Sequence, residues 1–266
     1  MKTYIKHLFR FLPSVITCCS ILCGLWAIFL AFGEKNIVAS IILIVMSAFF
    51  DAFDGRVARW LKVDGNFGVE LDSLADFVSF GVAPIIIMFF SVNWQDDITA
   101  FSFLTIFPIC MALRLARFNT LALGKPSNQV LAKFQKIFFF GLAAPIGAMA
   151  FLLPLIASVN GINFPLSQNT LLCYTTIISF FLVIPVPIFG SKTLHLGKKT
   201  KQDLCFSIFA IILIISFIMM PMKTLFASLM AYFCTIPLSC AVYLIGKEKL
   251  KKIDFNITLI SKKCFL

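Results

Sequence analysis

The stretch from Ile37 to Asp76 reads IVASIILIVMSAFFDAFDGRVARWLKVDGNFGVELDSLAD. It begins as an apolar run of the kind that crosses a bilayer as a helix. Four aspartates then interrupt the apolar pattern, namely Asp51, Asp54, Asp72 and Asp76. An ionised Asp at the centre of a membrane helix costs about 2.5–3.5 kcal/mol. We therefore expect a compensating positive partner, and the density of acids favours a divalent metal and, with it, phosphate chemistry.

The composition excludes a soluble globular domain. Of the 266 residues, 60% are hydrophobic and 13% are charged, whereas soluble domains carry roughly 25% charged residues. Apolar runs long enough to span a bilayer recur along the whole chain. We predict an all-α fold, a polytopic transmembrane helical bundle of about eight spans. The predicted spans are 13–32, 37–59, 68–90, 98–117, 138–159, 170–189, 204–222 and 225–245.

The distribution of basic residues predicts the orientation. With the N-terminus in the cytoplasm, all of the 23 Lys and Arg residues except Lys35 and Lys223 fall in cytoplasmic segments. Such an excess is typical of cytoplasmic loops, so both termini are expected there and the net charge of +11 reflects topology rather than nucleic-acid binding. We predict a single integral membrane domain over 1–266, with catalytic core helices at 13–159, further spans at 170–245 and a basic cytoplasmic tail at 246–266.

Helical spacing predicts that the aspartates converge. Asp51 and Asp54 are three residues apart and Asp72 and Asp76 are four apart, so each pair lies on one helix face. The segment 60–67 between the two spans is short and contains an Asp-Gly turn signal. The two spans therefore form an antiparallel pair, and the carboxylates face each other within the cytoplasmic leaflet.

Carboxylate oxygens at this density suit Mg²⁺, Mn²⁺ or Ca²⁺ rather than zinc. Two ions held by four carboxylates can clamp a diphosphate. Arginines on the same side can neutralise phosphate, and the candidates are Arg59, Arg114 and Arg117. For Arg114 and Arg117, a simple anchoring role under the positive-inside rule is equally consistent.

The pattern Asp-x2-Asp-Gly-x2-Ala-Arg-x8-Gly-x3-Asp-x3-Asp is complete in this chain. Its members are Asp51, Asp54, Gly55, Ala58, Arg59, Gly68, Asp72 and Asp76. It resembles the signature of the CDP-alcohol phosphatidyltransferases. Within that family, the stretches FDGRVAR (53–59), ELDSLADFVSFGVAP (70–84) and ALRLARFN (112–119), with the opening PSVIT (13–17) before Cys23-Gly24, are similar to bacterial members that use L-serine. Ser14, Ser20 and the sequence GLAAP (141–145) depart from that subgroup and bear on the acceptor alcohol rather than on the reaction class.

The resemblance implies a function and a set of site residues. It implies transfer of the phosphatidyl group from CDP-diacylglycerol to L-serine, giving phosphatidylserine and CMP in phospholipid biosynthesis. It further implies a homodimer in the cytoplasmic (inner) membrane with its active site facing the cytoplasm. The implied cofactor is a pair of Mg²⁺ or Mn²⁺ ions, held by Asp51, Asp54, Asp72 and Asp76.

The same resemblance assigns further roles. Asp76 is also the general base, and the cytidine diphosphate part of the donor is cradled by Asp54, Gly55, Ala58, Arg59 and Gly68. For serine as acceptor, we expect Arg114 or Arg117 to neutralise the carboxylate of the amino acid. Lys136 and Lys192 are further candidate phosphate contacts.

Two other interpretations stay open. A member of the same family can use another alcohol, such as glycerol 3-phosphate, inositol phosphate or choline. A cation transporter also carries carboxylates within the membrane, but its sites usually lie near the midplane on broken helices, often in inverted repeats. This chain has no visible repeat, and its acids lie toward one leaflet.

Overall fold

The structure is a computed structural model that describes residues 11–61, 66–123, 138–140, 142–162, 167–184, 187–189, 212–239 and 241. In this part of the chain, five helices are long and apolar enough to cross a membrane. They are Leu12–Phe32, Ile37–Leu61, Phe67–Ser91, Asp97–Thr120 and Pro221–Ser239. The predicted helical class is confirmed, and the first four helices coincide with the first four predicted spans.

We number the elements in chain order. The helices are α1 (Leu12–Phe32), α2 (Ile37–Leu61), α3 (Asn66–Asp76), α4 (Ala83–Ser91), α5 (Asp97–Leu104), α6 (Ile106–Leu123), α7 (Ala144–Phe151), α8 (Leu153–Val159), α9 (Gln168–Val183), α10 (212–219) and α11 (Pro221–Ser239). Two short strands, β1 (Phe138–Phe140) and β2 (Pro187–Phe189), form an antiparallel pair with Phe139 opposite Ile188.

The prediction of one continuous helix over 138–159 is wrong. The segment starts as β1, its helix begins only at Ala144, and the helix is interrupted at Leu152. Pro154 follows the interruption and has no N–H to continue the hydrogen-bond ladder. The predicted span 170–189 also ends early, because α9 ends at Val183 and residues 187–189 form β2.

The last two predicted spans are described only in part. Helix α10 falls within the predicted span 204–222, and α11 begins at Pro221, four residues before the predicted start of the last span at 225. The remainder of both spans and the basic tail lie outside the described residues.

A π-helical turn, Phe77–Val82, follows α3 directly after Asp76. Its signature is the N–H of Ala83, which donates to the carbonyl of Val78 five residues earlier. Pro84 has no N–H for the carbonyl four residues before it, so a regular α-helical ladder cannot run through this point. Such turns insert one residue into a helix and often mark functional sites. Here the turn separates the acidic helix α3 from the apolar helix α4.

Helix α1 packs along α2 and also contacts α3, α4 and the π-helical turn. Its buried face consists of small residues, Thr17, Ser20, Gly24, Ala27 and Ala31. Small residues let membrane helices approach closely. At Gly24 the approach leaves no room for a side chain, since an added Cβ would lie 2.6 Å from the Ser79 hydroxyl oxygen.

The buried apolar core joins the first helices to the middle of the chain. Its large, fully buried side chains include Ile41 and Ile44 from α2, Phe107 from α6 and Phe151 from α7. The rings of Phe107 and Phe151 lie 4.2 Å apart, centroid to centroid. This core holds α2 in place beneath the acidic residues.

Candidate functional site

Three carboxylates from two neighbouring helices form the centre of the site. Asp51 comes from α2, and Asp72 and Asp76 come from consecutive turns of α3. One oxygen of each lies within 4.8 Å of the others, and all three side chains are half-buried. The two helices are consecutive in the chain and are joined by the short connection 62–65. At 1.5 Å per residue, the cluster lies about 15 Å from that connection.

Asp54 lies one turn further along α2 and is the most buried of the four aspartates, with 5% of its surface exposed. Its Oδ2 accepts a hydrogen bond of 2.5 Å from the Thr17 hydroxyl of α1. Asp54 lies outside the three-residue cluster but interacts electrostatically with Asp51 and Asp72. The four acids therefore interact with one another electrostatically. Three of them form the cluster, and Asp54 is hydrogen-bonded to Thr17 of α1.

The donor set of this cluster fits a hard divalent cation. Like charges this close repel one another, and an ion coordinated by their oxygens removes that repulsion. Carboxylates are the ligands that Mg²⁺, Mn²⁺ and Ca²⁺ prefer. The cluster is thus an acidic group that can bind metal, and its chemistry does not distinguish among these ions.

Open space surrounds the glycines of the signature. A Cβ added at Gly55 or Gly68 would have no neighbouring heavy atom within 4 Å. Ala58 is half-buried, and Arg59 is exposed with its Nε donating to the carbonyl of Gly55 at 2.9 Å. The signature residues beyond the carboxylates therefore border a space into which a ligand can enter close to the backbone.

Arg114 of α6 is the arginine that faces the acidic cluster. Its half-buried guanidinium interacts electrostatically with Asp76 and Asp51, and also with the phenol of Tyr232 on α11. A cation beside carboxylates can hold an anionic group of a ligand. Tyr232 brings the last described span to the site, which its sequence position did not suggest.

Arg117, three residues further along α6, points elsewhere. Its Nη1 donates to the carbonyl of Val183, 3.1 Å away, at the C-terminal end of α9. Basic side chains are favourable at helix C-termini because the last carbonyls there lack partners. Arg117 is exposed, and its described hydrogen bond joins two helices. The other predicted basic contacts, Lys136 and Lys192, lie outside the described residues.

Two polar contacts at the site were not predicted. The hydroxyl of Thr17 on α1 donates a hydrogen bond to Asp54. The amide of Asn119 on α6 donates to the hydroxyl of Ser73, next to Asp72, at 2.9 Å. The signal available in the sequence was the polarity of these residues within otherwise apolar helices, since buried polar groups need partners.

An apolar cavity of about 270 Å³ lies one helical turn before Asp51 along α2. It is formed between α2, α7 and α11, and Ala48, one helical turn before Asp51, is part of its wall. The lining residues are Val45, Ala48, Pro145, Ile146, Met149, Leu225, Ser228, Leu229 and Tyr232. Tyr232 therefore borders both this cavity and Arg114.

These features define the class of the molecule, an integral membrane protein whose spanning helices carry an acidic group that can bind metal. Residues 10–184 match the family model of the CDP-alcohol phosphatidyltransferases. The chain belongs to this family, as the eight-residue signature predicted.

Three relatives, two from bacteria and one from an archaeon, share one name. The CDP-diacylglycerol–serine O-phosphatidyltransferase of Mycobacterium leprae is 31% identical over 86% of this chain and 74% of its own length. The protein of the same name from Helicobacter pylori is 32% identical over 80% of this chain and 84% of its own length. That of Methanocaldococcus jannaschii is 37% identical over 52% of this chain and 57% of its own length.

Proposed function

We propose that this chain transfers the phosphatidyl group of CDP-diacylglycerol to the hydroxyl of L-serine, giving phosphatidylserine and CMP. The observation that carries the proposal is the meeting of Asp51, Asp72 and Asp76 within 4.8 Å, on the two helices that bear the family signature. The relatives are named for transfer to serine, and we propose the same acceptor here.

The proposed chemistry is a displacement at phosphorus. The serine oxygen forms a bond to the phosphorus of the phosphatidyl group, and the bond from that phosphorus to the CMP oxygen breaks. Asp76 takes the proton of the serine hydroxyl, because a hydroxyl is a poor nucleophile until a positioned base removes that proton. The bonding electron pair leaves with CMP.

The remaining signature residues bind the donor in this proposal. Asp51, Asp54, Asp72 and Asp76 hold two divalent ions, Mg²⁺ or Mn²⁺, which when bound supply positive charge to the diphosphate oxygens. Asp54, Gly55, Ala58, Arg59 and Gly68 surround the cytidine diphosphate. The open space at both glycines supports this assignment. The cavity beside Ala48 has an apolar lining, which can accommodate an acyl chain of the donor.

For the acceptor, we propose that Arg114 neutralises the serine carboxylate. The support is its electrostatic interaction with Asp76, the proposed base. Arg117 was the alternative, and its bond to the Val183 carbonyl favours a structural role. Lys136 and Lys192 stay candidate phosphate contacts.

Replacing Arg114 by Gln is expected to raise the half-saturating serine concentration by about 10- to 100-fold. A hydrogen bond to a charged group contributes about 1.5–3 kcal/mol, and each 1.4 kcal/mol is tenfold in affinity. The maximal rate should fall less, because the base and the metal ligands stay in place. The measurement is CMP release as a function of serine concentration.

The comparison variant is Arg117→Gln, which makes the same change one turn along α6. We expect it to alter the serine requirement less than Arg114→Gln does. An unchanged serine requirement in Arg114→Gln would remove this residue from the acceptor site.

The membrane arrangement is proposed on sequence grounds. We propose eight spans with both termini and the active site facing the cytoplasm, supported by the distribution of Lys and Arg. Location in the inner membrane is proposed from the family resemblance. In this arrangement residues 13–159 form the catalytic core, residues 170–245 supply further spans and residues 246–266 form a basic tail. A homodimer is proposed from the family resemblance.

The reaction is tested with membranes that contain the chain, incubated with labelled CDP-diacylglycerol and one alcohol at a time. We expect serine to yield labelled phosphatidylserine and CMP, and glycerol 3-phosphate, inositol phosphate and choline to yield background. Membranes with the Asp51→Asn variant give that background. Faster transfer to another alcohol would contradict the acceptor, and absence of transfer to all four would contradict the proposed reaction.

A further inference from the structure

Helix α1 carries no acidic residue, yet it contacts the acidic site through one side chain. Thr17 and Asp54 are 4% and 5% exposed, and the hydrogen bond from the Thr17 hydroxyl to the Asp54 carboxylate is 2.5 Å long. Thr17 Oγ1 also lies 3.0 Å from the carbonyl of Pro13. A hydroxyl has a single proton to donate, and an ionised carboxylate is the stronger acceptor.

Hydrogen bonds of Ser20 fix α1, and with it Thr17, against α2 and the π-helical turn. One turn further along α1, the hydroxyls of Ser20 and Ser47 lie 2.7 Å apart. The carbonyl of Ser20 also accepts a hydrogen bond of 3.1 Å from Ser79. This serine cluster, Ser20, Ser47 and Ser79, joins α1 to α2 and to the π-helical turn.

The serine cluster lies about one helical turn from the acidic cluster on both α2 and the helix that carries Asp76. Ser47 precedes Asp51 by four residues, and Ser79 follows Asp76 by three. Gly24 permits this approach, because an added Cβ there would collide with Ser79. These contacts hold α1 against α2 and against the π-helical turn that follows Asp76. They thereby place the Thr17 hydroxyl next to Asp54.

We propose that Thr17 is a positioning residue of the metal site, which acts by holding the Asp54 carboxylate in the orientation that divalent-metal binding requires. This inference rests on the proposed function, in which Asp54 is a metal ligand. Hydrogen-bond partners of ligating carboxylates orient them, and their loss typically costs about 10- to 100-fold in metal affinity or activity. In this proposal Thr17 acts through Asp54, with which its hydroxyl forms a hydrogen bond.

The test compares Thr17→Val with Thr17→Ser and with Thr175→Val in detergent-purified protein. Valine has nearly the shape of threonine but cannot donate, whereas serine keeps the hydroxyl. Thr175 of α9 is a matched control, since it is 1% exposed and its hydroxyl donates to the carbonyl of Leu172 within its own helix. The readouts are the thermal unfolding midpoint as a function of Mn²⁺ concentration and the rate of CMP release.

In Thr17→Val we expect the half-saturating Mn²⁺ concentration for thermal stabilisation to rise about 10- to 100-fold. Thr17→Ser should recover the wild-type Mn²⁺ dependence, and CMP release should follow the same order.

Two results would overturn the inference alone. One is a wild-type Mn²⁺ dependence in Thr17→Val, and the other is an equal change in Thr17→Val and Thr175→Val. Failure of the wild-type protein both to release CMP and to be stabilised by Mn²⁺ would instead overturn the proposed function, and this inference with it.

Discussion

Replacing Asp76 by Asn is expected to lower the rate of CMP release from CDP-diacylglycerol and serine by about 10²- to 10⁴-fold, the range that a positioned general base contributes. Asn has nearly the same shape as Asp but cannot take up the proton of the serine hydroxyl. Asp76 is the last residue of α3, beside the π-helical turn, and it interacts with Arg114. The proposed base and Arg114, the proposed partner of the serine carboxylate, therefore interact electrostatically.

The loss should be one of chemistry rather than of folding. The backbone of Asp76 continues from α3 into the π-helical turn, and an amide can occupy the same half-buried position. Purified Asp76→Asn should therefore elute and unfold like the wild-type protein while its turnover falls. Full activity in this variant would remove Asp76 as the base.

Asp96→Asn provides a matched control for the same chemical change. The Asp96 side chain caps α5 by accepting hydrogen bonds from the N–H groups of Ile98 and Thr99. Hydrogen bonds from the side chain and backbone of Thr99 hold the pKa of Asp96 below its ordinary value. Asn is an equally good cap, and we expect this variant to keep wild-type turnover.

Removal of divalent metal with EDTA is expected to lower CMP release by about 10²- to 10⁴-fold. A metal that stabilises charge on phosphoryl oxygens contributes several kcal/mol, and each 1.36 kcal/mol is tenfold in rate. Without a cation, three carboxylates within 4.8 Å would repel both one another and the incoming diphosphate. Added Mn²⁺ or Mg²⁺ should restore the rate.

Binding can be followed independently of turnover. An ion that binds only the folded protein stabilises it, so Mn²⁺ should raise the thermal unfolding midpoint of the EDTA-treated protein. Asp72→Asn should weaken this stabilisation, because Asp72 interacts electrostatically with Asp51, Asp54 and Asp76. Unimpaired CMP release in EDTA would contradict the proposed metal site.

The first four spans and the acidic pairs were predictable because they depend on local properties. A long apolar run specifies a spanning helix wherever it packs, and spacings of three and four residues place side chains on one face of any helix. Predicted spans 13–32 and 37–59 accordingly agree with α1 and α2 to within two residues at each end. The convergence of Asp51 with Asp72 and Asp76 followed from the short connection between their helices.

The second half of the chain was less predictable because hydropathy alone does not reveal where a helix breaks. Residues 138–159 are apolar throughout, yet they form a strand and two short helices. The strand pairs with residues far along the chain, so its formation depends on a partner that no local pattern identifies.

The sequence by itself determined that this chain crosses membranes as helices, that two neighbouring spans carry paired acids, and that it carries the signature of the CDP-alcohol phosphatidyltransferases. Only the tertiary structure decided which other groups meet these acids. It directs Arg114 to the acids and Arg117 to the end of α9, binds Asp54 to Thr17 and brings Tyr232 to the site. The physical reason is that helix rotation and approach follow from packing, here from small residues on α1 and an inserted π-helical turn, which act on side chains far apart in the chain.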